Sequence, residues 1–118
     1  MKTENLIVEL SFDFSLQIID LYKKLIERKE YVLSKQLLRS GTSIGANVEE
    51  AIAGQSRKDF ISKMSVASKE ARETRYWLKL LDKSRLVDMD YSVYLNLVEQ
   101  IVNILTKIVK TSSEANTA

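Results

Sequence analysis

The sequence predicts an all-α fold, an up-down-up-down bundle of four long antiparallel helices forming a single domain over residues 1–118. Proline is absent and there are only 3 glycines in 118 residues, so almost nothing interrupts a helix. Apolar residues recur at spacings of three and four in four successive segments. The connections between these segments are short, which places consecutive helices side by side and antiparallel.

The first predicted helix runs from about Glu4 to Arg28, with Thr3 as its N-cap. Its inward face carries Ile7, Phe14, Ile18, Leu21 and Leu25. A turn is expected over residues 29–31. The second helix then ends at Gly54, because glycine is favoured where a helix stops. Its inward residues are Leu37, Gly41, Ile44, Val48 and Ala51.

Residues 56–59 resemble a capping box with Asp59 in place of Glu, and they open the third helix. Its heptad pattern is the strongest periodic signal in the chain and consists of Phe60, Met64, Ala67, Ala71, Thr74, Leu78 and Leu81. The fourth helix is expected to follow Asp88 or Asp90 as N-cap. Its inward residues are Tyr94, Leu97, Ile101, Ile104, Leu105 and Ile108, and the polar tail at residues 111–118 is expected to fray.

Composition excludes most enzyme classes. The chain has no His and no Cys, which removes zinc sites, nucleophiles paired with His and the Glu-x-x-His ligands of di-iron bundles. We therefore expect no catalytic residues, no metal and no cofactor. No segment has the run of about 20 apolar residues that a membrane span needs, and the first ten residues do not form a signal peptide. The expected location is the cytoplasm.

Basic side chains on two helices form a candidate nucleic-acid contact. The net charge of +2, from 18 basic and 16 acidic residues, does not by itself indicate a polyanionic partner. Local spacing, however, places several basic residues on outward faces where they could contact phosphates: Lys35, Arg39, Arg72, Arg75, Lys79 and Lys83. The alternative is a solvated face with weak ion pairs, because Glu70, Glu73 and Asp82 are interleaved with these residues.

Two other features favour structural roles. Gly41 and Gly45 lack the preceding strand and the Gly-Lys-Ser/Thr ending of a phosphate-binding loop, so we expect them to permit close approach of two helices. The carboxylates of Glu49, Glu50, Glu70 and Glu73 could in principle hold a divalent metal. Without histidine or further oxygen ligands, pairing with Arg39 or Arg75 is the expected arrangement.

The apolar arcs are wider than one core requires. Beside its inward face the first helix adds Phe12, Ile19 and Ile26, and the fourth adds Val98, Val102 and Val109. On the third helix, Val66, Trp77 and Leu80 form a second apolar strip, which we call the α3 strip. Large apolar patches mark partner surfaces, so a homo-oligomer is expected, with burial inside the monomer as the alternative.

Four segments carry a resemblance to a known family: residues 4–9 (ENLIVE), 36–51 (QLLRSGTSIGANVEEA), 56–60 (SRKDF) and 69–81 (KEARETRYWLKLL). They resemble the small bacterial four-helix bundle proteins encoded within intervening sequences of 23S ribosomal RNA genes. The resemblance covers nearly the whole chain except the tail.

This resemblance implies a bundle that assembles into a ring of five subunits. The chain is also similar to the accessory proteins of diversity-generating retroelements, which are basic bundles that engage nucleic acid and a reverse transcriptase. The function implied is therefore a non-enzymatic, oligomeric protein that binds RNA or DNA. The alternative is a scaffolding module that contacts only protein partners.

Overall fold

The computed structural model describes residues 2–117, with the side chains of residues 3–115. Within this part of the chain the structure consists of four helices: α1 (Lys2–Glu27), α2 (Leu33–Ile52), α3 (Arg57–Ser84) and α4 (Ser92–Thr117). Each helix packs against its two neighbours around the bundle, whereas the backbones of the diagonal pairs α1/α3 and α2/α4 lie further apart, with no Cα atoms of the described residues within 8 Å of each other. The bundle measures 50 × 22 × 22 Å. The predicted all-α four-helix fold is therefore confirmed.

The core is the one that the apolar spacing predicts. On α1 and α2 every predicted inward residue is buried, from Ile7 to Ala51. On α3 the heptad pattern is buried from Met64 to Leu81, and Phe60 packs against the core from a partly exposed position. On α4 the buried face differs from the predicted one. Ile101, Leu105 and Ile108 are buried as predicted, whereas Tyr94, Leu97 and Ile104 pack against the core from partly exposed positions. Val98 and Val102 were predicted to lie outside the core, and the structure instead buries both of them within the monomer.

The connection between α1 and α2 depends on Glu30. Lys29 has a φ of 65° and ends α1 in the left-handed conformation, with the Glu30 N–H bonded to the Leu25 carbonyl. The Glu30 carboxylate then accepts the backbone N–H groups of Leu33 (2.9 Å) and Ser34 (2.6 Å). It supplies the acceptor that the N-terminus of α2 needs, because Val32 at the cap position makes no side-chain cap. The predicted turn over residues 29–31 is thus confirmed.

Of the three N-caps predicted for the other helices, the one of α3 is confirmed and those of α1 and α4 are wrong. Ser56 caps α3, its hydroxyl accepting the N–H of Asp59 at 3.1 Å, as the capping box predicts. Thr3, however, lies inside α1, because the helix already begins at Lys2. The helical hydrogen bonds of α4 begin at the Tyr91 carbonyl, and neither Asp88 nor Asp90 is the N-cap.

Burial of Tyr91 accounts for the start of α4. Its hydroxyl donates to the Val87 carbonyl at 2.8 Å, so the ring closes the connection before α4 begins. Asp90 still accepts the N–H of Ser92 at 2.9 Å. At the other end, α4 continues to Thr117 where the sequence predicts a frayed tail, and Ser112 is buried beside the first turn of α1. Ala118 lies outside the described residues.

Candidate nucleic-acid interface

The predicted basic residues fall on different sides of α3. Arg39 reaches α3 from α2, where it lies beside Glu70 and Glu73. Arg72 and Arg75 point toward α4 and contact its side chains. The six predicted phosphate contacts therefore do not form one continuous surface within a monomer.

An ionic cluster joins α2 to α3. Arg39 bonds Glu70 at 3.2 Å and also bonds Glu73, whose Oε2 accepts the indole Nε1–H of Trp77 at 2.9 Å. We call Arg39, Glu70, Glu73 and Trp77 the α2/α3 cluster. The Trp77 hydrogen bond and then the Arg39 guanidinium lower the pKa of Glu73 against the opposing effect of burial. The expected pairing of these carboxylates with Arg39 is confirmed, which leaves Arg39 already engaged by two carboxylates.

A groove between α3 and α4 is lined by basic residues that have fewer carboxylate partners than Arg39 has. Its volume is about 460 Å³, and Arg75, Lys79 and Lys83 line it from α3 beside Asp82. Leu95, Asn96 and Glu99 line it from α4. Arg75 is paired with Glu99 at 2.9 Å, and the partly exposed pair is a weak one by the usual standard. We call this surface the α3/α4 groove.

The exposed lysines are the free cations of the predicted set. Lys35, Lys79 and Lys83 are exposed, and none of them is paired with a carboxylate within the described part of the chain. Arg72 is also exposed and its guanidinium donates to the Thr106 hydroxyl at 2.8 Å, a contact that leaves its charge uncompensated. The structure thus brings Arg72, Lys79 and Lys83 together along α3, and leaves Lys35 on α2.

The α3 strip is only partly exposed. Val66 is 37% exposed, whereas Trp77 and Leu80 are half-buried. Trp77 packs against the core and makes an edge contact with Tyr76, their ring centroids lying 5.3 Å apart at 68°. Trp77 therefore has an intramolecular role in addition to any role in assembly.

A second apolar surface, which was not predicted from the sequence, lies between α1 and α2. Phe12, Leu16 and Ile19 flank a groove of about 310 Å³, and the first two of these side chains are at least half exposed. Small residues line it as well, including Ser11, Ser15, Thr42, Gly45 and Ala46. The sequence had indicated the excess apolar arc at Phe12 and Ile19, but it could not show that the small residues of α2 lie beside it. We call this surface the α1/α2 groove.

The described side chains offer no obvious metal centre and no membrane segment. Among them, no group of three or more Asp and Glu residues is placed to hold a metal ion. Glu50 pairs with Lys63 of α3 at 2.9 Å and not with Arg39 or Arg75 as expected, and Glu49 lines the α1/α2 groove. No helix in residues 2–117 combines the length and apolar character needed to cross a bilayer.

Two comparisons with known proteins agree with each other. Residues 3–107 match the family model described as the 23S rRNA-intervening sequence protein. A crystal structure of a protein of unknown function from the S23 ribosomal protein family of Bacteroides thetaiotaomicron is 46% identical and superimposes with a TM-score of 0.87. The match covers 92% of this chain and 98% of that one. No curated protein matches the chain. The chain therefore belongs to the 23S rRNA-intervening sequence protein family.

Proposed function

We propose that the protein is a non-enzymatic, cytoplasmic, oligomeric bundle that binds the phosphate backbone of RNA or DNA through α3. The observation that carries this proposal is the row of exposed cations formed by Arg72, Lys79 and Lys83, none of which is paired with a carboxylate among the side chains of residues 3–115. Phosphate contacts from such side chains release counterions and do not require a preformed pocket.

The structure also changes which residues should matter most. Arg39 and Arg75 are held by Glu70, Glu73 and Glu99, so each must give up an ion pair before it can contact a phosphate. Lys79 and Lys83 have no such pair to break among the described side chains. We therefore assign the backbone contact first to these lysines and Arg72, and only secondarily to Arg39 and Arg75.

Assembly is the second part of the proposal. The α3 strip and the α1/α2 groove are separate surfaces, because the groove lies between α1 and α2, whereas α3 lies diagonally across the bundle from α1. A contact between two different surfaces is heterologous, and repeating it closes into a ring when the rotation permits. A ring fits the five-subunit form that the resemblance implies, and it would multiply the row of cations on each α3 into a larger basic band.

The test is nucleic-acid affinity as a function of salt concentration. A labelled structured RNA and a duplex DNA are titrated at two salt concentrations with the parent and with the Lys79→Ala/Lys83→Ala variant. We expect affinity to fall steeply with salt, and each lost contact to reduce the log-log slope by roughly 0.7 to 0.9. The matched control is Lys23→Ala/Lys24→Ala, which removes the same charge from exposed positions on α1 and should retain the slope of the parent more closely.

The competing candidate is a scaffolding module that contacts only proteins. Its support is the α1/α2 groove, where Phe12 is 60% exposed beside Leu16 and Ile19. Such a patch is typical of a protein interface. If the parent does not bind either nucleic acid at low salt, or if the lysine variant binds as well as the parent, the scaffolding role replaces nucleic-acid binding.

A further inference from the structure

Tyr76 lies within the row of cations on α3. It follows Arg72 by four residues and precedes Lys79 by three, which places the three side chains on neighbouring positions of one helix face. Lys83 continues the same face one turn further on, about 16 Å along the axis from Arg72. Tyr76 is 57% exposed, so the core accounts for less than half of its surface.

The ring of Tyr76 is supported by its neighbours. It makes its edge contact with Trp77, which is itself held by the core and by the hydrogen bond from Nε1 to Glu73. Glu73 is in turn bonded to Arg39 of α2. A side chain held in this way loses less conformational entropy on binding than a freely rotating surface tyrosine does.

Resting on the function proposed above, we propose that Tyr76 is a stacking platform for an unpaired base, and that the ligand of α3 is a single-stranded segment of nucleic acid. An exposed aromatic ring among cations is the arrangement by which proteins hold single strands: the cations follow the backbone, and the bases stack on the ring. A duplex cannot use Tyr76 in this way, because the faces of its bases are already stacked on one another. The cations alone would bind single strands and duplexes through phosphates.

The test compares two single strands that differ only in their bases. One is a labelled 12-nucleotide oligo(dT), and the other is an abasic strand with the same number of phosphates. The parent should bind oligo(dT) about 5- to 150-fold more tightly than the abasic strand, which corresponds to the stacking of one base. Oligo(dT) should also quench the fluorescence of Trp77, the single tryptophan of the chain, through its contact with Tyr76.

Two variants of Tyr76 and one control complete the design. Tyr76→Phe should retain the preference for oligo(dT), because the ring remains, whereas Tyr76→Ala should bind both strands equally. The matched control is Tyr31→Ala, which removes a similarly exposed aromatic ring from the connection between α1 and α2, outside both proposed surfaces. It should leave the ratio of the two affinities unchanged.

The outcomes separate the two proposals. If the parent binds both strands equally and Tyr76→Ala leaves the affinities unchanged, the stacking platform is wrong and backbone binding stands. If the parent binds neither strand nor a duplex at low salt, nucleic-acid binding itself is wrong. A preference for oligo(dT) that persists in Tyr76→Ala would also overturn the assignment of Tyr76.

Discussion

Glu73 bonds both a side chain that packs against the core, Trp77, and an exposed side chain of the neighbouring helix, Arg39. One carboxylate oxygen accepts both the indole N–H of Trp77 and the guanidinium of Arg39, so a single side chain fixes a tryptophan and ties α2 to α3. Beneath it, Thr74 donates to the Ser40 hydroxyl at 2.8 Å in a fully buried contact between the same two helices. Such a buried polar pair favours one register of α2 against α3, because a slip would break this bond and leave the Ser40 hydroxyl with only its 3.5 Å contact to the Leu37 carbonyl.

The lowered pKa of Glu73 predicts a dependence of the cluster on pH. Because the folded-state pKa lies below the ordinary value of 4.5, the ionised carboxylate stabilises the bundle at pH values above 4.5. That contribution is lost as the pH falls through the lowered pKa. We therefore expect the emission of Trp77 to titrate below pH 4.5, and the titration to disappear in Glu73→Gln.

Glu70→Gln is the matched control for this titration. It removes the other carboxylate that bonds Arg39 but leaves the hydrogen bond of Trp77 in place. The acid titration of Trp77 emission should therefore persist in this variant. An identical titration in Glu73→Gln would mean that another group controls the tryptophan.

At the scale of the helices, Gly41 and Gly45 set how closely α1 and α2 approach. A Cβ at Gly41 would lie 2.8 Å from Cγ2 and 3.0 Å from Cγ1 of Ile18, and one at Gly45 would lie 3.3 Å from the Ser11 carbonyl oxygen. The expectation that these glycines permit close helix approach is therefore confirmed. The atoms of Ile18 that would be contacted are next to its branched Cβ, so they have little room to move.

Gly41→Ala should consequently destabilise the bundle even though alanine is the better helix former. The substitution gains about 1 kcal/mol of helix propensity and incurs about 1 to 3 kcal/mol of overpacking, so we expect a net loss of up to about 2 kcal/mol. Urea denaturation followed by circular dichroism measures the change. In an Ile18→Ala background, where Cγ1 and Cγ2 are absent, the same substitution should lower the free energy of unfolding by less. If Gly41→Ala instead stabilises the parent, the two helices are not in tight contact.

How far the sequence could predict this structure differs between elements and surfaces. The core could be predicted because the apolar spacing of α1, α2 and α3 is regular, and burial follows helix periodicity directly. The start of α4 and the role of Glu30 could not be predicted, because both depend on contacts within the connections. Glu30 bonds the first turn of α2, and Tyr91 bonds the Val87 carbonyl. Similarly, the spacing on α3 placed Arg75 among the cations but gave no sign that Glu99 of α4 pairs with it.

The exposed apolar surface of the bundle is divided between two separate patches. The α1/α2 groove faces one way and the α3 strip another, and α4 contributes less than the sequence predicts because Val98 and Val102 are buried. A symmetric dimer would need a self-complementary patch, whereas two separate patches suit a heterologous contact. The proposed assembly therefore uses both surfaces in every contact between subunits.

Light scattering at micromolar concentration tests the assembly. We expect a mass that is a multiple of the 13.5 kDa subunit, and five subunits would agree with the ring that the family resemblance implies. Val66→Glu should reduce that mass toward the monomer, since a charge buried in an apolar contact without a partner is costly. Leu16→Glu, in the α1/α2 groove, should have the same effect, because each heterologous contact uses one patch from each copy.

Val93→Glu is the control, since Val93 is a β-branched residue on α4 that is 57% exposed, against 37% for Val66, and lies on neither surface. It should leave the mass unchanged. If Val66→Glu dissociates the assembly and Leu16→Glu does not, the contact does not involve the α1/α2 groove, and the α3 strip meets another surface. A parent that scatters as a 13.5 kDa monomer would overturn the assembly, and Trp77 would then serve only to pack α3 and hold Glu73.

In that case the cations of a single α3 would have to bind nucleic acid alone. The slope of log affinity against log salt concentration should then be small, because few counterions are released.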